Sequence, residues 1–330
     1  MKNKFNFNDL FVFDMANNHQ GSLDHGLRII SEIGETARIH AVRTALKFQF
    51  RQLDTFVHPA HREGSDNKHI PRFLSTRMSI DDFARMVDAV RKEGMITMST
   101  PFDEESVDVI VRMGIEVLKI ASCSATDWPL LEKASESGKP VIFSTASLTL
   151  QQIDALVSFF DHRMVDFAIM HCVAIYPTPD HQLNLNHIET FQSRYTGKVI
   201  GFSTHEDPDD TVPVQLAVAK GAQIFERHVG LATDEIKLNA YSSTPSQIDK
   251  WLVAYKKARA VCGIAGDCDP SSAEETASLH SLRRGIFAQR SLKKGSVLEQ
   301  KDVYFAMPYS EGQLASGSWM PGIMLEVDLE

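Results

Sequence analysis

Two short runs decide the fold: Lys198–His205 (KVIGFSTH) and Gln223–Gly230 (QIFERHVG). Each begins with apolar residues and ends in polar ones, as a buried strand does when it reaches the edge of a sheet. The segment between them, Val212–Lys220, has the spacing of a helix. This strand–helix–strand order is typical of parallel strands that are covered by helices.

The same pattern recurs along the chain, and it predicts eight strands in all. The six further runs are Phe11–Ala16, Ala41–Gln49, Met95–Pro101, Val117–Cys123, Val141–Ser147 and Phe167–Val173. Helical stretches lie between or after the runs at Leu23–Arg38, Ile80–Glu93, Leu150–Phe160 and Ser246–Val261. Eight strands that alternate with helices predict an α/β fold of the closed (β/α)8 barrel type. The competitor, a doubly wound open sheet, usually carries a glycine-rich fingerprint after its first strand, and this chain has none there.

Length and charge narrow the class of protein further. The chain has 330 residues and a net charge of −9, which leaves room for a barrel and a small second domain and argues against nucleic-acid partners. The first ten residues, MKNKFNFNDL, hold no apolar run of signal-peptide length, and no later run approaches a membrane span. The four cysteines lack zinc-site spacing with histidine, so we expect buried free thiols in a cytoplasmic protein (Cys123, Cys172, Cys262 and Cys268).

Two segments interrupt the barrel pattern. Arg51–Arg77 is polar and long for a strand–helix loop, and we expect its histidines to face solvent (His58, His61 and His69). A Gly-, Asp-, Pro- and Ser-rich stretch begins at Gly263. The sequence therefore predicts a barrel over residues 1–262, a linker over 263–280 and a small β-rich domain over 281–330.

The carboxyl ends of barrel strands carry the active site, so the polar residues at those ends are the candidates. Lys47 and Lys119 each lie within an apolar strand, where an unpaired ammonium is costly, and we interpret both as functional. Histidines end the last two strands at His205 and His228, and two neighbouring imidazoles suit a divalent metal with open coordination positions. His171, at the end of the sixth run, is equally compatible with the core and with a site.

Six short strings in the chain resemble the sialic acid synthase group, which includes spore coat polysaccharide biosynthesis protein E. They are Asn18–Gly21 (NHQG), Lys47–Gln49 (KFQ), Ser99–Asp103 (STPFD), Lys119–Ser122 (KIAS), Tyr176–Pro179 (YPTP) and Glu226–His228 (ERH). They occur in the order and spacing of that group, on successive predicted strands. Residues 281–330, with Arg283–Ala288 (RRGIFA) and Lys293–Gly295 (KKG), resemble its C-terminal SAF (antifreeze-like) domain.

The resemblance implies an enzyme that condenses phosphoenolpyruvate with an N-acylmannosamine-type aldose, giving a nonulosonic 2-keto sugar acid and phosphate for a surface polysaccharide. It implies phosphoenolpyruvate contacts from Lys47, Thr100, Lys119, Ser122, Ser203 and His205. His205 and His228 would bind Mn2+, with Mg2+ or Co2+ as alternatives, and Gln49 and Tyr176 would lie near the amino sugar. It also implies a homodimer in which each SAF domain covers the partner's barrel.

The chain departs from the group at several positions, most of them on the sugar side of the site. Asp14 stands where the group has the Glu that orients or deprotonates the attacking water. Lys237–Asn239 stands near the place of a sugar-binding Asp, which either Asn239 or Asp234 would have to replace. Further departures are Ala174, Ser124 and the segment Met307–Tyr309, which replaces an Arg before Pro-Gly. We therefore expect an acceptor sugar other than N-acetylmannosamine.

Two other functions remain open from the sequence. A catalytically silent paralogue would bind a sugar or a partner at the barrel mouth, and the lost carboxylates favour it. The retained lysine and histidine pairs count against it. A metal-dependent sugar isomerase would gather several carboxylates around its ion, whereas these strand ends supply mainly Lys, Ser and His.

Overall fold

The computed structural model of the chain describes residues 4–263 and 272–330 and contains a closed barrel of eight parallel strands. Each strand pairs with the next along the chain, and β1 closes the barrel against β8, with Asp14 opposite both Lys47 and His228. The strands are β1 Leu10–Asp14, β2 Arg43–Phe50, β3 Ile96–Pro101, β4 Val117–Ile120, β5 Val141–Ser144, β6 Phe167–Cys172, β7 Ile200–Thr204 and β8 Ile224–His228. The predicted (β/α)8 architecture is confirmed.

Helices surround the barrel, and the five helical stretches that the spacing predicts are present. The helices of this unit are α1 Leu23–His40, α2 Leu53–Phe56, α3 His69–Ser75, α4 Ile80–Lys92, α5 Glu104–Arg112, α6 Trp128–Glu136, α7 Leu150–His162, α8 Asn186–Arg194, α9 Val212–Ala219 and α10 Pro245–Cys262. Short 3-10 turns lie at Pro59–His61, Ser122–Ser124 and Asp180–Gln182. Side chains cap several helix starts; Ser22, for example, accepts a hydrogen bond from the backbone of His25.

The barrel interior changes from apolar to polar along each strand, and this change places the site. On β8, Ile224 lies in an apolar layer inside the barrel, and Glu226 and His228 follow on the same face. On β1, Leu10 and Val12 belong to that same layer. The larger apolar cluster lies between the strands and the helices. The barrel interior is therefore filled by apolar side chains toward the amino ends of its strands and carries its charges at their carboxyl ends.

Two predictions about local structure are corrected. The segment Arg51–Arg77 is not a plain loop, because α2, a 3-10 turn and α3 fold within it, although its three histidines are exposed as expected. Cys123 and Cys262 are exposed free thiols, whereas Cys172 is buried as predicted. Cys123 is exposed because β4 ends at Ile120 and the chain leaves the sheet in a short turn. Cys268 lies outside the described residues.

The chain divides into two compact units, residues 1–262 and 263–330. The second unit contains α11 (Ala273–Ser281) and a two-stranded antiparallel sheet of β9 (Gly285–Ala288) and β10 (Val303–Ala306), with 3-10 turns at Gln300–Asp302 and Ser316–Ser318. Its small core contains Leu292, Leu298 and Val303. The helix α11 overlaps the end of the predicted linker 263–280 and runs one residue past it, and residues 264–271 of that linker lie outside the described part. No helix in the described ranges has both the length and the apolar character of a membrane span.

Candidate active site

Four buried charges from four strands meet at the mouth of the barrel. The Nζ atom of Lys47 lies 2.9 Å from Asp14 Oδ2 and 3.3 Å from Glu226 Oε1. The Nζ atom of Lys119 lies 2.8 Å from Glu226 Oε2, so Glu226 bridges the two ammonium groups. All four side chains are at most 5% exposed. This charge cluster, Asp14, Lys47, Lys119 and Glu226, is neutral as a unit.

The charges in the cluster hold one another in the ionised form. Burial alone would raise the pKa of Glu226, but the two lysines outweigh it and hold that pKa well below its ordinary value. Burial also opposes ionisation of Asp14, but Lys47 outweighs it and lowers the pKa of Asp14. Burial would lower the pKa of Lys47, yet its two carboxylate partners raise it. Among the described residues, Lys119 has a carboxylate partner only in Glu226, and burial leaves the pKa of Lys119 lowered.

Polar side chains on neighbouring strands extend the cluster. The hydroxyl of Ser203 donates to Glu226 Oε1 at 2.9 Å, and Gln49 Nε2 donates to Asp14 Oδ2 at 3.2 Å. Asp14 also accepts a hydrogen bond from the backbone N–H of Ala16 at 2.8 Å. Its carboxylate is therefore held in one orientation by several donors.

The two histidines that end β7 and β8 face each other across the mouth. Their ring centroids are 5.3 Å apart, and His228 Nδ1 lies 3.5 Å from Asp14 Oδ2. His205 Nδ1 donates to the carbonyl oxygen of Val173 at 2.8 Å, which leaves its Nε2 lone pair free to bind a metal. Burial lowers the pKa of His205 to about 3 and also lowers that of His228, so both rings are neutral.

This donor set fits a divalent ion at an open site. Neutral imidazole nitrogens are suitable ligands for Mn2+ and related ions. Among the residues the structure describes, no three His, Cys, Asp or Glu side chains gather closely enough to form a complete metal site. An ion on His205 and His228 would therefore keep most of its positions for solvent or substrate.

Two tyrosines form an aromatic wall beside the histidines. The ring of Tyr176 lies 4.4 Å from that of His205 and 5.0 Å from that of Tyr241, centroid to centroid. Tyr241 in turn lies 5.2 Å from His228. Tyr176 is half-exposed and Tyr241 is partly buried, and such aromatic rings at a barrel mouth offer apolar faces for a sugar ring.

The structure brings most of the predicted site residues into one network. Hydrogen bonds, ion pairs or ring contacts connect Asp14, Lys47, Gln49, Lys119, Tyr176, Ser203, His205 and His228 with one another or through Glu226. Ser122 accepts from the backbone of Ala146 instead, and Thr100 is buried on β3. Asn239 accepts from the backbone N–H of Tyr241. His171 belongs to the core, because its ring packs on Phe202 outside the barrel.

Glu226 and Tyr241 are the two residues of this network that the predicted set leaves out. Glu226 carries the same signal as the lysines, a charge within an apolar strand, and two buried ammonium groups require counter-charges. Tyr241 lies in the loop after β8 and has no comparable signal in the sequence.

Fold and site together define a (β/α)8 protein with a buried charge cluster at the carboxyl ends of its strands. The chain belongs to the NeuB family, whose family model matches residues 35–266.

Three relatives illustrate the similarity. The crystal structure of a Chromobacterium violaceum protein named as spore coat polysaccharide biosynthesis protein E is 46% identical, with a TM-score of 0.93 over 97% of this chain and 96% of that one. The N-acetylneuraminic acid synthetase of Leptospira borgpetersenii is 28% identical, with a TM-score of 0.72 over 82% of this chain and 91% of that one. The N,N'-diacetyllegionaminic acid synthase of Legionella pneumophila is 26% identical over 88% of this chain and 83% of that one.

Proposed function

We propose that the protein condenses phosphoenolpyruvate with an N-acylmannosamine-type or related aldose to give a nonulosonic 2-keto sugar acid and phosphate. The observation that carries the proposal is the pair of buried lysines at the barrel mouth, each ion-paired and each on a different strand. Buried ammonium groups are costly, and a site for an anionic substrate explains them. The names of the related synthases point to the same product class.

The anionic substrate would lie over the charge cluster. We assign its contacts to the two lysines and to the hydroxyl and imidazole groups of the neighbouring strands (Thr100, Ser122, Ser203 and His205). The acceptor sugar would lie beside Gln49, Tyr176 and Asn239. Since Asp14 and Glu226 already balance the two lysines, a trianion requires further positive charge at this mouth.

A divalent ion on His205 and His228, with Mn2+ as our first choice and Mg2+ or Co2+ as alternatives, would meet that requirement. When bound, such an ion would polarise the aldehyde oxygen of the sugar. The protein's own contribution is to hold both imidazoles neutral and to fix the His205 ring through Val173.

The reaction forms one bond between the vinyl carbon of phosphoenolpyruvate and the aldehyde carbon. Water then adds to the cationic carbon that bears the phosphate oxygen, and cleavage of that C–O bond releases phosphate and leaves the ketone. Of the two protons of the water, one ends on the former aldehyde oxygen and the other on the phosphate. Asp14 is ionised and is held by Lys47, Gln49 and the backbone, so we assign it the orientation of the water. The two lysines stabilise the leaving phosphate by preorganised charge.

Phosphate release from phosphoenolpyruvate, with Mn2+ and a panel of N-acyl hexosamines, tests the proposal. We expect release with at least one acceptor, together with a product whose mass equals the acceptor plus the pyruvate unit. Lys119→Ala should reduce the rate by at least about a thousandfold, because it removes a charge next to the reacting phosphate. Lys133→Ala is the matched control, since that lysine forms an exposed ion pair with Asp108 on the helix layer.

Two outcomes would contradict the proposal. A folded, metal-loaded protein that releases no phosphate with any acceptor is not this synthase. If it nevertheless binds phosphoenolpyruvate tightly, the catalytically silent paralogue becomes the better description. Full activity in Lys119→Ala would remove the role assigned to that lysine.

A further inference from the structure

A separate cavity of about 250 Å3 opens beside the charge cluster, beneath the segment that follows β2. Gln49 belongs to both places, because it lines the cavity and donates to Asp14 Oδ2. This lateral cavity therefore adjoins the barrel mouth at Gln49. None of the roles assigned above uses its other walls.

Arg51 is the one wall residue whose charge lacks a carboxylate partner within bonding distance in the described chain. Its guanidinium is stacked between two rings, 4.0 Å from the centroid of Phe73 and 3.6 Å from that of Phe102. Its NH2 group donates to Gln49 Oε1 at 3.0 Å. The Nε atom is buried and has no hydrogen-bond acceptor among the described residues. The stacking fixes a cationic donor at the cavity wall.

The rest of the lining is mixed, and about half of its residues are apolar. Phe73, Met78, Phe83 and Val109 contribute to it, and the last three pack in or against the main core. A phosphate would require more than one unpaired cation, but the second arginine of the lining, Arg77, is already ion-paired with Asp54. The one remaining guanidinium suits a single carbonyl oxygen. The composition therefore favours a neutral amide that carries an alkyl chain.

We infer that this cavity binds the N-acyl substituent of the acceptor sugar, with the Arg51 guanidinium donating to the amide carbonyl and the acyl chain against Val109, Phe73 and Phe83. The inference rests on the proposed function and narrows its substrate class. The cavity volume of about 250 Å3 is several times the volume that one molecule occupies in liquid water, so acyl chains longer than acetyl fit. The cavity then selects acceptors by the size of the acyl group.

An acyl-length series on the native protein is the first test. We expect the KM for the acceptor to fall by up to about fourfold for each methylene added from N-acetyl to N-butanoyl, with kcat nearly constant. The unacylated amine and a hexosamine 6-phosphate should be the poorest acceptors. A preference for the 6-phosphate, or no dependence on acyl length, would overturn the inference.

Two variants address the wall residues directly. Arg51→Met should raise the KM of N-acyl acceptors about tenfold and leave the KM of phosphoenolpyruvate unchanged. Val109→Phe should fill the cavity and abolish the preference for longer chains. The controls are Arg163→Met, an exposed arginine stacked on Phe159, and Val111→Phe, an exposed position on the same helix as Val109. Equal effects in variant and control would refute the assignment.

A binding measurement separates failure of this inference from failure of the proposed function. Saturation-transfer NMR with N-butanoylmannosamine requires no turnover and no phosphoenolpyruvate. We expect the strongest transfer at the acyl protons of the native protein and its loss in Val109→Phe. Acyl contact without phosphate release would support acyl binding in the cavity and contradict the proposed synthase activity. Turnover without acyl contact would support the synthase activity and contradict acyl binding in the cavity.

Discussion

Glu226 is the residue on which the charge cluster depends, because its two carboxylate oxygens contact both buried ammonium groups. We predict that Glu226→Gln lowers the free energy of unfolding by about 3–5 kcal/mol, since it leaves two buried cations with one carboxylate between them. Urea unfolding at neutral pH measures the loss. Glu189→Gln is the matched control, because Glu189 forms an exposed ion pair with Lys220 and should cost less than about 1 kcal/mol.

The same residue should make stability sensitive to acid. The pKa of Glu226 in the folded protein lies below its ordinary value of 4.5, so near that pH the folded state binds fewer protons than the unfolded chain. Its contribution is therefore complete above about pH 5 and is lost as the pH falls toward the folded pKa. The Glu226→Gln protein should lose less stability than the native protein between neutral pH and about pH 4. An equal loss in both proteins would mean that other carboxylates set the acid limit.

At the scale of single residues, the sequence shows which charged residues belong to the site better than it shows which side chains contact one another. Lys47, Lys119, His205 and His228 stand out because polar groups at the ends of apolar strands need an explanation, and the structure brings them together. Glu226 follows from the same reasoning applied once more. Tyr241 does not, because its place depends on how the loop after β8 folds back across the mouth.

The ends of β7 and β8 are joined a second time, on the outer face of the barrel. Arg227 and Glu206 are each 1% exposed, and Arg227 NH1 lies 3.4 Å from Glu206 Oε1. Both carboxylate oxygens of Glu206 lack a hydrogen bond within the described ranges, and burial raises its pKa to about 7. These residues directly adjoin His205 and His228, so the outer pair helps to hold the two strand ends that carry the imidazoles.

A double-mutant cycle on this pair gives a prediction for the two strands. Arg227→Met alone should cost about 3 kcal/mol because it buries Glu206 without its cation. The double variant Arg227→Met/Glu206→Gln should recover at least about 1 kcal/mol of that loss, since the two residues are in contact. Urea unfolding of the four proteins measures the coupling. Strictly additive losses would show that the two side chains do not interact.

Hydrophobic spacing predicts the strands and long helices more accurately than the short helices. It gives the strands to within a few residues and the long amphipathic helices, such as α1 and α7, nearly from end to end. It does not give α2 and α3, since short helices in a polar segment bury too little apolar surface to leave a regular pattern. That segment supplies Arg51 and Phe73 to the lateral cavity, so the part of the site least visible in the sequence is the part that we expect to select the sugar.

For the whole molecule, the two units differ greatly in how much apolar surface they bury. The barrel unit has an extensive core between its strands and helices and a second one inside the barrel. Within the described residues 272–330 of the second unit, the fully buried core residues are Leu292, Leu298 and Val303. It exposes large apolar side chains, each between 46% and 67% exposed, at Leu279, Leu282, Val297, Tyr304, Met307, Leu314, Met320, Met324 and Val327. So much exposed apolar surface in a small unit is characteristic of an interaction surface.

We predict that the full chain is a dimer and that a chain ending at Cys262 is a folded monomer. The resemblance to the SAF domain implies the dimer, and the exposed apolar side chains of residues 272–330 give it a physical reason, because a partner's barrel would cover them. Sedimentation velocity across a range of concentrations measures the mass of both chains, and circular dichroism with urea unfolding confirms that the shorter one folds cooperatively. A full chain that stays monomeric would contradict the predicted dimer. A shorter chain that still forms dimers would place the dimer contact in the barrel unit. The acyl preference should survive truncation in either case, because every wall of the lateral cavity belongs to the barrel unit.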